Sequence, residues 1–377
     1  MIYVQHLLGV GHLQRSGILA TALAQRGLRV ALVSGGMPIP HMTATDYMLH
    51  QLAPVCSADA SFSRLLDAEG NEIDNAWREA RCQQLLDLFE RLQPQLLITE
   101  TFPFGRRMMS FELLPLLQRA HARRNPPLVV ASIRDILQPK SKPGRNREIC
   151  ELIDKYYDHV LIHGDPSIAT LADSFAEAER IGDRLFYSGY ICRPATTKPA
   201  GNTDAAEVLV SAGGSGTGLK ILETALAARP MSRLSRRNWR ILVSPAIDAT
   251  AFARLKRLAD DSVIVERNRP DFSRMMQYAS LSISQAGYNT VTDILASRAA
   301  SVLVPFDESG EIEQSLRARC LQQRGRAAVL EASRLNPANL VEAIDQALTL
   351  DTSIKVNLDG AANSAAQIDA WLQAATV

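Results

Sequence analysis

No apolar run in this 377-residue chain is long enough to cross a bilayer. The first predicted strand opens at Ile2, which leaves no room for a signal peptide and makes a cytoplasmic protein the expectation. Cysteine is scarce: the five residues (56, 82, 150, 192 and 320) are scattered, odd in number and without CxxC spacing. That argues against a disulfide scaffold and against structural zinc, and for reduced thiols. Net charge is only +1, so no global field draws the chain to nucleic acid or a membrane. Aromatics make up 6% and are not interleaved with basic residues, which removes a stacking platform for nucleic acid. No DxD follows a strand, since Asp260-Asp261 precedes one, so a bound divalent ion is not needed.

What remains is the composition of a soluble globular protein, with 46% hydrophobic and 21% charged residues. The length suits two domains of roughly 150–190 residues. Strand-like and helix-like patterns alternate throughout, which predicts α/β architecture with parallel sheets. Strands are expected at 2–7, 29–33, 96–99, 128–132 and 159–162, then at 208–211, 240–243, 262–265, 281–284 and 301–304. Residues 188–205, rich in Pro, Thr and Gly, read as a linker between domains spanning 1–187 and 206–350. The tail, 351–377, ends in a helix expected to pack back on the first domain.

Three loops carry the chemistry. In VLVSAGGSGTG, a short β-branched strand runs into Gly213, Gly214, Ser215 and Gly216, and a helix follows. Backbone N–H groups and a helix N-terminus suit a phosphate or diphosphate there, although a tight strand-to-helix turn is the plainer reading. No Gly-Lys-Ser/Thr follows, so this is not a Walker loop. Near the N-terminus, Gly9 and Gly11 bracket a bend before His12, with the helix expected from Leu13 or Gln14 and Arg15 one turn in. An imidazole at a strand-to-helix junction can accept a proton near neutral pH; the alternative is a structural, hydrogen-bonded histidine. The third loop runs from Gln285 to Asn289, with Gly287, Thr290 and Asp293 leading into a helix and Glu313-Gln314 following the next strand. Asp293 there can accept both hydroxyls of a ribose, or simply complement a helix dipole.

Those three loops, in that order, resemble the GT-B glycosyltransferases, most closely the group containing the peptidoglycan lipid-intermediate N-acetylglucosaminyltransferase. The resemblance covers both domains and is strongest over 206–350. It implies two Rossmann-like doubly wound domains facing across a cleft and metal-independent transfer from a nucleotide-sugar donor, UDP-linked, to an unidentified acceptor. No tightly bound cofactor is implied. Gly213, Gly214 and Ser215 match the loop on the donor diphosphate. Gly287, Thr290 and Asp293 match a Gly-x-x-Thr-x-x-acid segment whose acid, usually Glu, binds the uridine ribose. Gln314, with Glu313, matches a motif on the donor sugar, and Arg193 matches an arginine that reaches the diphosphate. GVGH is shorter than the family's glycine-rich acceptor loop. Gly9, Gly11, His12 and Arg15 also resemble a UDP-sugar hydrolase of the same fold, so transfer, hydrolysis or epimerisation, and non-catalytic binding stay open.

Glu100 and Asp135 end strands and are further candidates for a base, with helix capping the alternative for Asp135. Arg106, Arg107, Arg119, Arg123 and Arg124 flank the Leu-rich FELLPLL. They suit either weak peripheral contact with an anionic membrane or a solvated helix face.

Overall fold

The computed structural model describes residues 1–7, 9–39, 45–58, 64–139, 144–192, 206–213, 218–307 and 311–375. They form two compact units: 1–166 with 170–191 and 359–377, and 192–358 with 167–169. Among the described residues no helix is long and apolar enough to cross a membrane.

The first unit runs β1 (Ile2–Val4), α1 (Gly11–Gln25), β2 (Ala31–Ser34) and β3 (Met48–Gln51). A short antiparallel pair follows, β4 (Cys56–Ser57) with β5 (Leu65–Leu66). Then come α2 (Asn75–Leu92), β6 (Leu96–Glu100), α3 (Ser110–His121), β7 (Leu128–Arg134), α4 (Arg145–Tyr156), β8 (His159–His163) and β9 (Leu185–Tyr187). The sheet order is β3-β2-β1-β6-β7-β8-β9, and every pairing in it is parallel. Strands buried on both faces read as continuous apolar runs, and this sheet shows why. Val129, Ala131 and Ile133 of β7 point into one core with Leu113, Leu116 and Leu117 of α3. Val130 points to the other, with Leu13 and Leu23 of α1. Leu113, Leu116 and Leu117 of FELLPLL are therefore interior, and Leu114 packs against the same core partly buried.

The second unit runs β10 (Val208–Ser211), α5 (Leu219–Ala228), β11 (Trp239–Val243), α6 (Ala249–Leu258), β12 (Val263–Arg267), α7 (Phe272–Tyr278) and β13 (Leu281–Ser284). It continues through α8 (Tyr288–Leu295), β14 (Ala300–Leu303), α9 (Glu313–Gln323), β15 (Ala328–Val329) and α10 (Pro337–Ala347). Its sheet order, β12-β11-β10-β13-β14-β15, is again wholly parallel.

The last helix, α11 (Gly360–Ala374), belongs to the first unit. Gly360 is required where it arrives, because a Cβ there would lie 2.3 Å from the Gly189 carbonyl oxygen. Asn363 donates to the Ser188 carbonyl at 2.9 Å, and Trp371 stacks on His159 with ring centroids 3.9 Å apart. Ser188 and Tyr190 are fully buried in this unit; residues 193–205 lie outside the described residues.

Two readings of the chain need correction. The helix α1 begins at Gly11, not at Leu13 or Gln14, so His12 sits inside its first turn. The sequence reading also lacks β3, β9, β15 and α10. Three of those strands are only two to four residues long at sheet edges, where little apolar pattern is required. The start of α10 was signalled: Asn336 caps it by accepting from the Asn339 N–H at 3.0 Å, and Pro337 is its first residue.

Candidate functional site

A doubly wound sheet places ligand-binding loops at the carboxyl ends of its strands, where strand order reverses. In the first unit that reversal lies between β1 and β6. His12 follows β1 and Glu100 is the last residue of β6, so the topology alone makes them neighbours. His12 Nδ1 is 3.0 Å from Glu100 Oε1. Arg15 also donates to that oxygen, and the Thr101 hydroxyl reaches it at 3.2 Å. The other oxygen, Oε2, accepts from Ser132 at 2.6 Å, the β7 residue in register with Glu100.

These contacts fix the tautomers. Arg15 Nη2 lies 3.3 Å from His12 Nδ1, but a guanidinium N–H facing an imidazole N–H is served by Glu100 instead. His12 then donates Nδ1–H to the carboxylate and keeps its lone pair on Nε2. The side chain is 13% exposed. Behind the pair, Ser132 spends its proton on Glu100 and so accepts from His163 Nε2–H at 2.9 Å. His163 Nδ1 in turn meets the Ser188 hydroxyl at 3.1 Å. A polar chain therefore runs from His12 through Glu100, Ser132 and His163 to Ser188, across three adjacent strands.

Electrostatics hold both imidazoles neutral. Burial, then the Arg106 charge, pull His12 down to about 3 against the opposing hydrogen bond to Glu100. Burial and then Arg15 bring His163 to about 3 as well. For Glu100, burial alone would raise the carboxyl, but Arg15 and His12 outweigh it and hold the group well below the usual carboxylate range. Arg106 itself sits in the left-handed region (φ 58°), as does Thr101 (φ 70°), and donates Nε–H to the Gln5 carbonyl at 2.8 Å. It is thus turned inward, unlike a solvated surface arginine.

Asp135 lies just past β7 and is fully buried. It accepts from the Ile136 N–H at 2.8 Å and the Tyr190 hydroxyl at 3.2 Å, and caps no helix, since α4 starts at Arg145. His12 is not among its partners. Gly9 is exposed, with open space where a Cβ would stand.

In the second unit the reversal lies between β10 and β13. Gly213, at φ 70°, follows β10; a Cβ there would stand 3.5 Å from Gln285 Oε1, just past β13. Its carbonyl accepts from Asn268 at 3.0 Å. Gly218 lets α5 start hard against the strand end, for a Cβ would fall 1.8 Å from that of Ala212. Gly214, Ser215, Gly216 and Arg193 lie outside the described residues. Gly287 is the N-cap of α8, with Thr290 and Asp293 three residues apart on that helix and both half-buried.

Gln314 does more than the motif suggests. Its Oε1 accepts from the Ala286 N–H at 3.0 Å and the Phe306 N–H at 3.2 Å, bridging the loops after β13 and β14. Its NH2 group is left as the donor end. Glu313 is 3% exposed and pairs at 2.8 Å with Arg317, which donates to the Ala286 carbonyl at 3.0 Å. Among the described residues no three His, Cys, Asp or Glu side chains are arranged to hold a metal ion.

Sequence reasoning missed Thr101, Ser132, His163 and Arg317. The one legible signal was polarity at the strand ends LVVASIR and HVLIH, where apolar residues would otherwise continue.

The architecture is that of the GT-B fold. Over 99% of this chain and 98% of its own, the calicheamicin glycosyltransferase CalG4 has a TM-score of 0.66 at 16% identity. MurG of Acinetobacter baumannii scores 0.59 at 13% identity over 99% of each chain. The spinosyn rhamnosyltransferase SpnG, complexed with thymidine diphosphate, scores 0.59 at 17% over 99% and 96%. Within that class, residues 208–369 match the glycosyltransferase family 28 C-terminal domain. A stretch of 74 residues is 32% identical to the UDP-N-acetylglucosamine--N-acetylmuramyl-(pentapeptide) pyrophosphoryl-undecaprenol N-acetylglucosamine transferase of Ralstonia nicotianae (strain ATCC BAA-1114 / GMI1000). That stretch spans a fifth of this chain and a fifth of that relative (20% each).

Proposed function

We propose that this chain is a glycosyltransferase that moves a sugar from a nucleoside diphosphate, UDP first among them, to an acceptor hydroxyl. The observation that carries the reading is the His12–Glu100 pair at the β1/β6 reversal. His12 Nε2 takes the hydroxyl proton as the acceptor oxygen attacks the anomeric carbon. The bond to the donor oxygen breaks and the nucleoside diphosphate leaves with its electrons. Glu100 orients the ring and steadies the imidazolium that forms. In the second unit, the Gly213 loop and the start of α5 meet the departing diphosphate, where backbone N–H groups and helix dipole favour negative charge. Gly214, Ser215, Gly216 and Arg193 complete that contact in this reading. Asp293 takes the ribose hydroxyls, and Gln314 offers its NH2 group to the sugar. Glu313, engaged with Arg317, acts one step back by fixing the loop that carries Ala286. Support comes from the family 28 match and from GT-B neighbours named as glycosyltransferases.

The test is thermal-shift titration of the full chain with UDP, GDP, dTDP and their common sugar conjugates. Stabilisation by one nucleotide follows from mass action, names the base and should fall in Asp293→Ala. Equal donor affinity in wild type and Asp293→Ala would sink the ribose assignment, and failure of every nucleotide would sink the donor reading. Donor consumption without added acceptor would convert transfer into hydrolysis.

A further inference from the structure

The geometry points to a binding site in the second unit, separate from the donor loops, that takes a flat, uncharged heteroaromatic ring bearing carbonyl acceptors. A cavity of about 330 Å³ is bounded by β10 and β11 on one side and by α7 on the other. It reaches from Glu207 and Ala279, which precede β10 and β13, to Arg269, which follows β12. Among the described residues, none of the three loops assigned to the donor lines it.

The cavity follows from how the sheet is covered. Side chains alternate across a strand, so Val210 and Ile241 fill the core with α5 and α6. Leu209 and Arg240, which are in register, turn to the other face. There the cover is thin: α7 has seven residues, of which Met276 alone is buried. Ile264 of β12, in register with Arg240, stays 38% exposed. Asp271, Arg274, Met275 and Tyr278 recur at helical spacing, so one edge of α7 supplies that wall of the cavity.

The charges around it are already matched. Arg240 donates through Nε and Nη2 to the two oxygens of Glu207, at 2.6 and 2.9 Å, and through Nη1 to Glu266 at 2.7 Å. Arg269 holds both oxygens of Asp271 at 2.8 and 2.9 Å, and Arg274 Nη2 donates to Asp271 at 2.8 Å. Three guanidinium groups thus answer three carboxylates, and an ion of either sign would have to break a pair to enter. With their edges on carboxylates, Arg240 and Arg269 have planar faces left to offer, and such faces stack on aromatic rings. Met275 adds a thioether, which favours contact with a ring edge.

Leu209 and Ala279 make part of the lining apolar, so a ring gains by displacing water there. The Tyr278 hydroxyl is buried without a hydrogen-bond partner. Arg274, whose Nη2 alone serves Asp271, can only donate. Both are met by an acceptor on the ligand, which is why the ring carries carbonyl oxygens. The volume stands at the small end of ligand pockets and suits one or two fused rings, not a whole nucleotide.

The test uses the full chain with ¹³C-labelled methionine methyls, the Met275 signal being assigned by its loss in Met275→Leu. Caffeine is the probe, being flat, uncharged and rich in carbonyl acceptors. Cyclohexanol controls for flatness and benzoate for charge, and each is titrated with and without saturating UDP. Caffeine should shift the Met275 methyl saturably whether or not UDP is present, with both controls at least about tenfold weaker. Ala279→Phe, which fills the cavity, should weaken caffeine by about tenfold or more and leave UDP affinity unchanged. Tyr278→Phe, a milder change that serves if the first variant misfolds, should weaken it about fivefold, for one hydrogen bond lost. No saturable shift, loss of the shift when UDP is added, an equal response to the controls, or unaltered affinity in the variants overturns the proposal. Failure of UDP to bind overturns the donor reading instead, and the titration without UDP still decides this one.

Discussion

The two units share one topology and put opposite chemistry at the same point in it. All seven histidines of the chain lie in the first 163 residues, and the family 28 match over 208–369 contains none. At the β1/β6 reversal the first unit gathers an imidazole, a carboxylate and an arginine. At β10/β13 the second gathers a glycine at positive φ, backbone N–H groups and two glutamine amides, with the Glu313–Arg317 pair buried behind them. Strand order makes the crevice, but the side chains at its rim decide what it can do. A rim of ionisable groups suits proton transfer. A rim of amides suits holding a diphosphate without competing for its protons.

That division breaks most visibly at His12. His12→Asn keeps a group able to donate to Glu100 but removes the lone pair on Nε2. Turnover should fall about 10²–10⁴-fold, the range for loss of a general base. Nucleotide affinity, which the proposal assigns to the other unit, should hold. Calorimetry with UDP beside a steady-state assay checks both, and a parallel loss of affinity would mean the division of labour is wrong.

Acid should separate the units next. His12 and His163 sit at about 3 in the folded protein, against a usual 6.5. Their folded-state values are lowered, so the unfolded chain binds protons that the native one refuses, and stability drains as pH falls from about 6.5 towards 3. Each such histidine removes up to about 1.4 kcal/mol per pH unit over that window. Below the ordinary carboxylate range Glu100 adds to the loss, because its folded value is held down too. Denaturant melts from pH 7.5 to 4.5 should show the first unit weakening and the second holding. His163→Asn should flatten the first unit's decline; a common pH dependence in both units would refute the assignment.

Much of the fold was legible because parallel strands buried on both faces are largely apolar, as in VLV of β10 and LVVA of β7. The helix expected after the Gly213 loop is α5, made legible by its Gly-rich approach and alanine-leucine body. The edge strands were not legible, since a three-residue strand such as Leu185–Tyr187 has too few positions for alternation to show. The candidate site splits the same way. Gly213 stands out because it lies in a glycine-bearing turn between a strand and a helix, and His12 because it directly follows such a turn, in the first turn of α1. The Ser132–His163 relay is set by strand register, which aligns Glu100 with Ser132 and Arg134 with His163. No local pattern encodes that alignment, because it joins residues more than thirty positions apart.

The smallest effect tests the quieter unit. Gln314→Ala removes one carbonyl that serves two backbone N–H groups, Ala286 and Phe306, on adjacent strand-end loops. The Ala286 N–H belongs to a fully buried residue and is left without its acceptor. Folding stability should therefore drop by about 1–3 kcal/mol, with no change in its pH dependence. On the proposed reading donor affinity should fall further than that loosening alone requires, since the NH2 group assigned to the sugar goes with the carbonyl. Gln314→Glu divides the two contributions: it keeps an acceptor for both N–H groups but gives up the NH2 donor. If Gln314→Glu binds UDP normally and the UDP-sugar weakly, the amide reads the sugar. If it binds both as wild type does, Gln314 is a brace between loops and nothing more.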